Sequence, residues 1–259
     1  MTAPDPKSLL PEIVSLSRQA GDTVMQVYGG NFAVRAKADA SPVTVADERS
    51  EQLILRRLSE LTPDIPAASE EAISQAGVGD WHAQPLFWLV DPLDGTREFA
   101  SRNGEFSINI ALVSDRRPIL GVVHAPAVGL TWWGAAPGTA MMQRRDEPAI
   151  AIHARRPPPA GMVALESRSH GDRAALDAFL GEHKIAARRQ SGSALKFGLL
   201  AQGEADIYPR FGPTMEWDTA AGHAVLNAAG GHIETLAGAP LLYGKPGLRN
   251  PDFVAWGAA

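Results

Sequence analysis

The stretch Trp88-Leu89-Val90-Asp91-Pro92-Leu93-Asp94-Gly95-Thr96-Arg97-Glu98-Phe99 joins an apolar run to a polar loop with two carboxylates three residues apart. It predicts a buried strand over residues 85–90, which ends because Pro92 cannot donate to a sheet ladder. If Thr96 opens a short helix, its free N–H groups would face an anion. A divalent-metal phosphate site is our first hypothesis, although a solvated Asp-Pro-x-Asp-Gly turn explains the stretch more readily on its own.

Length and composition describe an ordinary soluble globular chain. Its 259 residues, 45% of them hydrophobic and 20% charged, can form one large domain or two moderate ones around a sizeable core. A net charge of -5 gives no footprint for a nucleic-acid polymer or an anionic membrane. The chain has no Cys, so any metal would be held by oxygen or imidazole. No signal peptide or membrane span is found, and we expect a cytoplasmic protein.

The first half predicts two helices followed by an antiparallel meander. Apolar residues at three- and four-residue steps indicate a helix over residues 6–28, and a second helix follows the loop that begins at Lys37. Asp47 stands where the N-cap of that second helix is expected. The connection over residues 62–71 delivers two adjacent acids, Glu70 and Glu71. Three β-rich runs come next, over residues 106–113, 119–124 and 130–134.

A change of composition at Arg155-Arg156-Pro157-Pro158-Pro159 predicts an extended linker between two domains, residues 1–154 and 155–259. Beyond it strands and helices alternate, which implies a layered α/β second half. The predicted strands cover residues 162–165, 185–189, 205–208, 232–236 and 253–256, and the predicted helices cover residues 172–183, 193–202 and 217–229.

The second half offers two further candidate site segments. Asp218 starts the helix in Glu216-Trp217-Asp218-Thr219-Ala220-Ala221-Gly222-His223, although a capping Asp218 and a core Trp217 explain that segment at least as well. Gly192-Ser193 could hold a phosphate on backbone amides, or could be a turn with a Ser cap. Scattered histidines are expected to be structural or on the surface: His124, His153, His170, His223 and His232.

A cluster of Glu70, Asp91, Asp94 and Asp218 would require a cation. Two carboxylates 4 Å apart repel by roughly 4 kcal/mol at an effective dielectric constant of about 20. Mg²⁺ cancels this repulsion, prefers oxygen ligands and often completes its shell with a phosphate. Two such ions about 3.5–4 Å apart can activate a water and stabilise the leaving oxygen of a phosphoryl group. The chain contains no Walker loop, zinc-type His spacing or Gly-x-Ser-x-Gly elbow as a competing motif.

Four blocks occur in order along the chain: Ser41-Pro42-Val43-Thr44-x-Ala46-Asp47, Glu70-Glu71, Asp91-Pro92-Leu93-Asp94-Gly95-Thr96 and Trp217-Asp218-x-Ala220-Ala221-Gly222. Together they resemble the inositol monophosphatase superfamily of magnesium-dependent, lithium-sensitive phosphatases, over the chain from about Lys7 to Trp256. The resemblance implies a sugar-phosphatase-like fold with αβαβα layers, of class α+β / α/β. An N-terminal antiparallel-sheet domain and a C-terminal α/β domain would hold the site between them.

Further blocks resemble one group within that superfamily, the bacterial 3'(2'),5'-bisphosphate nucleotidases of the CysQ type. They are Asn103-Gly104-Glu105-Phe106-Ser107-Ile108-Asn109-Ile110-Ala111-Leu112, Ser167-Arg168-Ser169-His170, Gly192-Ser193-Ala194-Leu195-Lys196-Phe197 and Tyr208-Pro209-Arg210-Phe211-Gly212-Pro213-Thr214. Glu216 departs from this pattern, in which an apolar residue is more usual before Trp217.

The resemblance also implies a role for each matching residue. Two or three Mg²⁺ ions would be bound, one by Glu70, Asp91 and the Leu93 carbonyl and a second by Asp91, Asp94 and Asp218. Asp47 and the Thr96 hydroxyl would form the catalytic pair that takes the proton from the attacking water. The backbone of Gly95 and Thr96 would meet the scissile phosphate, beside Glu70 and Asp218. The nucleotide would be contacted by Gly192, Ser193, Lys196 and Arg210.

The implied reaction is hydrolysis of the 3'-phosphate of adenosine 3',5'-bisphosphate to AMP and phosphate, which would recycle a product of sulfate assimilation. Arg210-Phe211 stands where inositol phosphatases often carry an acid, and this favours a small-molecule nucleotide bisphosphate. An inositol-1-phosphate or sugar bisphosphate phosphatase is the alternative enzyme, and a regulatory relative without turnover is the third hypothesis. The sequence leaves the oligomeric state and a peripheral association with the cytoplasmic side of the inner membrane open.

Overall fold

The computed structural model describes residues 4–36, 42–77, 79–81, 83–168 and 171–258. The loop over residues 37–41, together with Ser169 and His170, lies outside the described residues. The helices are α1 (Pro6–Tyr28), α2 (Val45–Leu61), α3 (Glu70–Ala76), α4 (Thr96–Ala100), α5 (Arg173–Gly181), α6 (Leu195–Ala201) and α7 (Glu216–Ala228). The strands are β1 (Arg35–Ala36), β2 (Pro42–Val43), β3 (Ala67–Ser69), β4 (Leu86–Asp94), β5 (Ser107–Ser114), β6 (Arg117–Ala125), β7 (Leu130–Gly134), β8 (Met141–Arg144), β9 (Ile150–Ala151), β10 (Met162–Ser167), β11 (Ile185–Ser191), β12 (Ile207–Arg210), β13 (His232–Thr235) and β14 (Phe253–Trp256).

The larger sheet has seven strands in the order β3-β4-β5-β6-β7-β8-β9. All neighbours are antiparallel except β3, which runs parallel to β4. The prediction that Pro92 ends the ladder is wrong, because β4 continues to Asp94 through a change of register after Asp91. A proline is tolerated inside such a bulge, where no ladder N–H is needed.

Helices α1 and α2 cover one face of this sheet. The length of α1 agrees with the predicted helix; Asp5 caps it and Pro6 occupies the first turn. Its buried side chains, such as Leu16 and Val24, belong to the same apolar cluster as Trp88 of β4. The apolar residues of the amphipathic pattern therefore form the face of α1 that packs on the sheet.

Helices α6 and α7 form the middle layer between the two sheets. Phe197 of α6 and Val225 of α7 share one buried cluster with Trp132 of the larger sheet and Phe253 of the smaller one. Their contact is close, because a Cβ on Gly222 would lie 2.3 Å from the Phe197 ring. This layer carries Asp218 and Lys196 into the same region as β4.

The smaller sheet has five strands in the order β11-β10-β12-β14-β13. β10 runs parallel to β11 and β12, whereas β14 is antiparallel to β12 and β13. Helix α5 covers its outer face through Leu180, which packs with Ile207 and Val254. The layers thus follow the order α1/α2, larger sheet, α6/α7, smaller sheet and α5, as the sequence predicts.

The segment over residues 155–159 forms neither helix nor strand. Its first residue is anchored, since the Arg155 guanidinium donates two 2.8 Å hydrogen bonds to the buried Asp206 carboxylate. The domain boundary expected here stays a prediction. None of the described helices has both the length and the apolar character required to span a bilayer.

Candidate active site

The end of β4 places the first acidic residues. Asp91 is buried, and its Oδ1 accepts a 3.0 Å hydrogen bond from the Leu93 backbone N–H. Gly95 then turns the chain into α4 with a φ of 90°, a conformation that favours glycine. A Cβ at that position would lie only 3.2 Å from the Glu105 carbonyl oxygen. Thr96 begins a short helix, which is the condition under which the sequence predicts an anion site here.

Asp218 reaches this region from the other half of the chain. It is the third residue of α7, where its Oδ2 accepts a 2.8 Å hydrogen bond from the Met215 backbone N–H. Carboxylate oxygens of Asp91, Asp94 and Asp218 all lie within 4.8 Å of one another. Glu70, the first residue of α3, is close enough to raise the pKa of both Asp91 and Asp218.

Burial and mutual repulsion act on all three aspartates. Burial raises the pKa of Asp91 well above its ordinary value, and the charges of Glu70, Asp94 and Asp218 raise it further. Burial and then Asp94 and Glu70 raise the pKa of Asp218 in the same way. Burial also raises the pKa of Asp94, although the Ser193 hydroxyl opposes that rise. Three such carboxylates are unfavourable as bare anions and are stabilised by a cation.

The Thr96 hydroxyl lies 3.2 Å from Asp47 Oδ1 and 3.3 Å from the Leu93 carbonyl oxygen. The prediction that Asp47 is an N-cap is wrong: Thr44 caps α2, and Asp47 is the third helical residue. Asp47 Oδ2 accepts hydrogen bonds from the Thr44 backbone N–H (2.8 Å) and hydroxyl (2.7 Å). This is a capping box, and the spacing of Thr44 and Asp47 could have indicated it. It fixes Asp47 with Oδ1 directed to Thr96.

The turn before α6 contributes a second wall. Ser193 has a φ of 51°, and its hydroxyl donates a 2.6 Å hydrogen bond to Asp94 Oδ2. The Gly192 N–H is donated to Glu105 Oε2 at 2.8 Å, so this amide is directed at a protein carboxylate in the structure. The turn is therefore packed directly against the acidic cluster.

Two buried cations lie behind that turn. Lys196 Nζ donates to the carbonyls of Ser191 (3.1 Å) and Ser193 (2.5 Å), and burial lowers the pKa of Lys196 to about 8. Arg210 donates from Nη2 to the Pro213 carbonyl at 2.8 Å, and its charge partly opposes the rise that burial causes in the pKa of Asp218. Strand β12 extends two residues beyond its predicted end at Tyr208, and this extension carries Arg210 to the site.

Several polar residues at the site are not among those that the sequence singled out. Ser107 donates to Asn109 Oδ1 at 2.9 Å, and Asn109 Nδ2 lies 3.4 Å from Asp94 Oδ2. Glu105 binds the Gly192 amide and forms a two-bond ion pair with Arg168. These four residues lie within the sequence blocks that resemble the nucleotidases, and that resemblance could have identified them as site residues.

The histidines that the structure describes agree with a structural or surface role. His124 and His223 are buried, 2.9 Å from the Thr131 and Tyr243 hydroxyls respectively. His153 and His232 are exposed, and His170 lies outside the described residues.

A sequence model of the inositol monophosphatase family matches residues 5–255 of this chain. The chain belongs to that family. A relative from Escherichia coli K12, named 3'(2'),5'-bisphosphate nucleotidase CysQ, is 46% identical over 252 residues, 95% of this chain and 98% of the relative. The solved structure of CysQ from Bacteroides thetaiotaomicron is 32% identical, with a TM-score of 0.81 and 98% of each chain covered. An IMPase from Thermotoga maritima is 25% identical, with a TM-score of 0.75 and 96% and 92% covered. These similarities confirm the layered fold and the family.

The donor set at the end of β4 fits a hard divalent cation. Its members offer only oxygen atoms, namely three crowded carboxylates and the Leu93 carbonyl beside them. Mg²⁺ prefers such ligands, whereas softer metals favour imidazole or thiolate. Within the described residues no histidine side chain is part of this group.

Proposed function

We propose that this protein is a magnesium-dependent 3'(2'),5'-bisphosphate nucleotidase, which hydrolyses adenosine 3',5'-bisphosphate to AMP and phosphate. The observation that carries the proposal is the 46% identity, over nearly the full length of both chains, to the Escherichia coli protein of that name. The acidic cluster with buried Lys196 and Arg210 next to it supports it, because two added cations suit a substrate with two phosphates.

Asp47 and Thr96 form the proposed catalytic pair. Thr44 holds Asp47 through Oδ2, and Asp47 Oδ1 accepts a hydrogen bond from the Thr96 hydroxyl. In the proposed step the hydroxyl takes a proton from the attacking water while its own proton passes to Asp47. Orientation matters here as much as basicity, because both groups are held by the ends of different helices.

Two or three Mg²⁺ ions would be held by Glu70, Asp91, Asp94, Asp218 and the Leu93 carbonyl. When bound, they supply charge neutralisation for the phosphoryl group and activation of the nucleophile. The chain's own contribution is to hold these acids in fixed positions, which the Leu93, Met215 and Ser193 hydrogen bonds do. The helix start at Gly95 and Thr96 would receive the scissile phosphate, with Glu70 and Asp218 at its border.

On the other side of the substrate, Gly192, Ser193, Lys196 and Arg210 would contact the nucleotide. Lys196 and Arg210 supply positive charge from buried positions, where an ionic contact is weakly screened. Because the Gly192 amide is bonded to Glu105, a contact from Gly192 would use its Cα or carbonyl. The proposal includes a cytoplasmic location and a role in sulfate assimilation. That role predicts that adenosine 3',5'-bisphosphate accumulates in cells that lack this protein.

The decisive experiment compares adenosine 3',5'-bisphosphate, inositol 1-phosphate and fructose 1,6-bisphosphate in steady-state assays with Mg²⁺. We expect kcat/KM for the nucleotide to exceed the other two at least tenfold. A preference of tenfold or more for inositol 1-phosphate or the sugar bisphosphate would replace the nucleotidase by the alternative phosphatase. Absence of turnover on all three would support a regulatory relative instead.

A further inference from the structure

Arg168 and Glu105 form an ion pair between the two halves of the chain. Arg168 directly follows β10, and Glu105 lies two residues before β5. Arg168 donates from Nε to Glu105 Oε2 and from Nη2 to Oε1, both at 2.9 Å. Such a two-bond pair fixes the plane of the guanidinium as well as its position.

The ion pair is connected to the reaction centre by a short series of contacts. Glu105 Oε2 also accepts the Gly192 N–H at 2.8 Å, and the adjacent Ser193 hydroxyl binds Asp94 at 2.6 Å. The turn has no space for adjustment, since a Cβ on Gly192 would lie 2.8 Å from the Glu105 carbonyl oxygen. Arg168 is therefore connected to the acidic cluster through Glu105 and the turn at Gly192-Ser193.

Arg168 lines a cavity of about 210 Å³ whose charged groups are mostly cationic. Arg173 and Arg210 line it as well, and Phe211 adds an aromatic surface. Asp172 is the acid in the lining, and its Oδ1 accepts the Ala175 N–H at the start of α5. The charges that line the cavity thus suit an anion.

Arg168 keeps hydrogen-bonding capacity for a ligand. A guanidinium has five N–H donors, and Glu105 takes two of them, which leaves three outside the ion pair. The Arg168 side chain is 41% exposed, and it lines the cavity. Arg173 also uses two of its donors in ion pairs, with Glu166 at 2.9 Å and Asp177 at 3.5 Å, and both of these partners belong to the C-terminal half of the chain.

We infer that Arg168, positioned by Glu105, is a specificity-determining residue that binds the phosphate of the substrate that is not cleaved. This inference rests on the proposed nucleotidase function and deepens it. A nucleotide 3',5'-bisphosphate carries that second phosphate and inositol 1-phosphate does not. Arg168 thereby contributes to the preference for the bisphosphate without touching the reacting atoms.

The test compares adenosine 3',5'-bisphosphate with adenosine 3'-monophosphate, which differ only in the 5'-phosphate. In Arg168→Gln, kcat/KM for the bisphosphate should fall about 10- to 100-fold, mainly through KM, as expected for loss of a charged hydrogen bond. The value for the monophosphate should stay within about twofold. Arg189→Gln is the matched control, because Arg189 forms an exposed ion pair with Glu204 and does not line the cavity.

A double variant separates the loss of Arg168 from the exposure of its partner. Glu105 without Arg168 would repel a phosphate, so Glu105→Gln/Arg168→Gln removes that repulsion. The bisphosphate preference should remain low in the double variant. Its full recovery would overturn the inference, since Arg168 would then only neutralise Glu105. An equal fall for both substrates in Arg168→Gln, or no fall, would overturn it as well.

Product binding gives a readout that is independent of turnover and metal. Titration calorimetry with AMP and adenosine in EDTA should show AMP binding at least tenfold more tightly to the original protein, and Arg168→Gln should lose this difference. Arg168→Lys, which keeps the charge, should retain part of it. An unchanged difference in Arg168→Gln contradicts the inference. Failure of the original protein to prefer the bisphosphate over inositol 1-phosphate is a separate result, which refutes the proposed function itself.

Discussion

Asp94 is hydrogen-bonded to side chains from two other parts of the chain. It accepts hydrogen bonds from Ser193 (2.6 Å) and Asn109 (3.4 Å), and it lies within 4.8 Å of Asp91 and Asp218. An Asn side chain keeps an oxygen acceptor for the hydroxyl but removes the negative charge. Asp94→Asn therefore separates the role of the charge from the role of the shape.

We predict that Asp94→Asn lowers kcat/KM at least about 1,000-fold, because the site loses charge that would hold Mg²⁺. Without metal its free energy of unfolding should be equal or higher, because one member of a repelling cluster is neutral. Thermal unfolding with and without Mg²⁺ should also show a smaller metal-induced rise in Tm. Asp177→Asn, which changes an exposed acid paired with Arg173 and Arg188, is the control. Undiminished turnover in Asp94→Asn would refute the metal assignment.

His124 makes stability depend on pH. The His124 ring packs closely against Gly21, where an added Cβ would lie only 2.5 Å from Nε2. Burial, and then the charge of Arg18, lowers the pKa of His124 to about 4. The unfolded chain binds a proton at about pH 6.5, so this contribution is complete above pH 6.5 and is lost as the pH falls towards 4.

When the pH is lowered from 7 to 5, the free energy of unfolding should fall by about 2 kcal/mol because of His124 alone. Urea unfolding in EDTA at both pH values measures this, and His124→Gln should reduce the fall by about that amount. His232→Gln, an exposed position, should leave the fall unchanged. An identical pH dependence in His124→Gln and the original protein would show that His124 is protonated in the folded state.

At the scale of single elements, Glu216 stabilises the start of α7. It is fully buried, and its carboxylate accepts the N–H groups of Gly244 (2.6 Å) and Lys245 (2.9 Å) and pairs with Lys245 Nζ (2.6 Å). Asn250 reinforces this contact by donating to the Met215 carbonyl at 2.8 Å. Glu216 departs from the nucleotidase pattern, and in this chain Gly244 and Lys245 provide the hydrogen bonds and the ion pair that its buried carboxylate needs.

Glu216→Leu should destabilise the protein by about 3–5 kcal/mol, because Lys245 and two N–H groups lose a buried partner. Glu216→Gln keeps an acceptor and should cost less. Urea unfolding measures both variants. The ratio of kcat/KM for adenosine 3',5'-bisphosphate to that for inositol 1-phosphate should not change in Glu216→Gln. A shifted ratio would mean that Glu216 contributes to substrate choice.

At the scale of the whole molecule, the site depends on the distance between α7 and the larger sheet. Asp218 is carried by α7, whereas Asp91 and Asp94 are carried by β4. Gly121 of β6 permits the approach, since a Cβ there would lie 2.2 Å from the Ala221 carbonyl oxygen and 2.8 Å from Ala224 Cβ. Backbone atoms cannot move aside as a flexible side chain can.

Gly121→Ala should therefore displace α7, reduce stability by about 1–3 kcal/mol and raise the Mg²⁺ concentration for half-maximal activity several-fold. Calorimetric titration of Mg²⁺ would report the weaker site without relying on turnover. Gly181→Ala is the control, because no atom lies within 4 Å of the added Cβ at the end of α5. Unaltered Mg²⁺ binding in a destabilised Gly121→Ala would show that the interlayer distance does not set the site.

The sequence by itself indicated the meander, the family, the acids of the proposed site and the helices other than α3, which it treated as part of a connection. Periodicity identifies α1 because three- and four-residue steps place its apolar side chains on one face, and the Thr96 helix start follows from the adjacent turn. These features are encoded in windows of a few residues.

Tertiary structure alone decided the bulge at Pro92, the Ser193–Asp94 contact and the Glu105–Arg168 ion pair. The residues that form the last two contacts are 99 and 63 positions apart, and no local pattern specifies such a contact. Their approach is fixed by how closely the layers pack, which depends on small residues such as Gly121. Local propensity therefore gave the parts of the site, and packing of the layers gave its geometry.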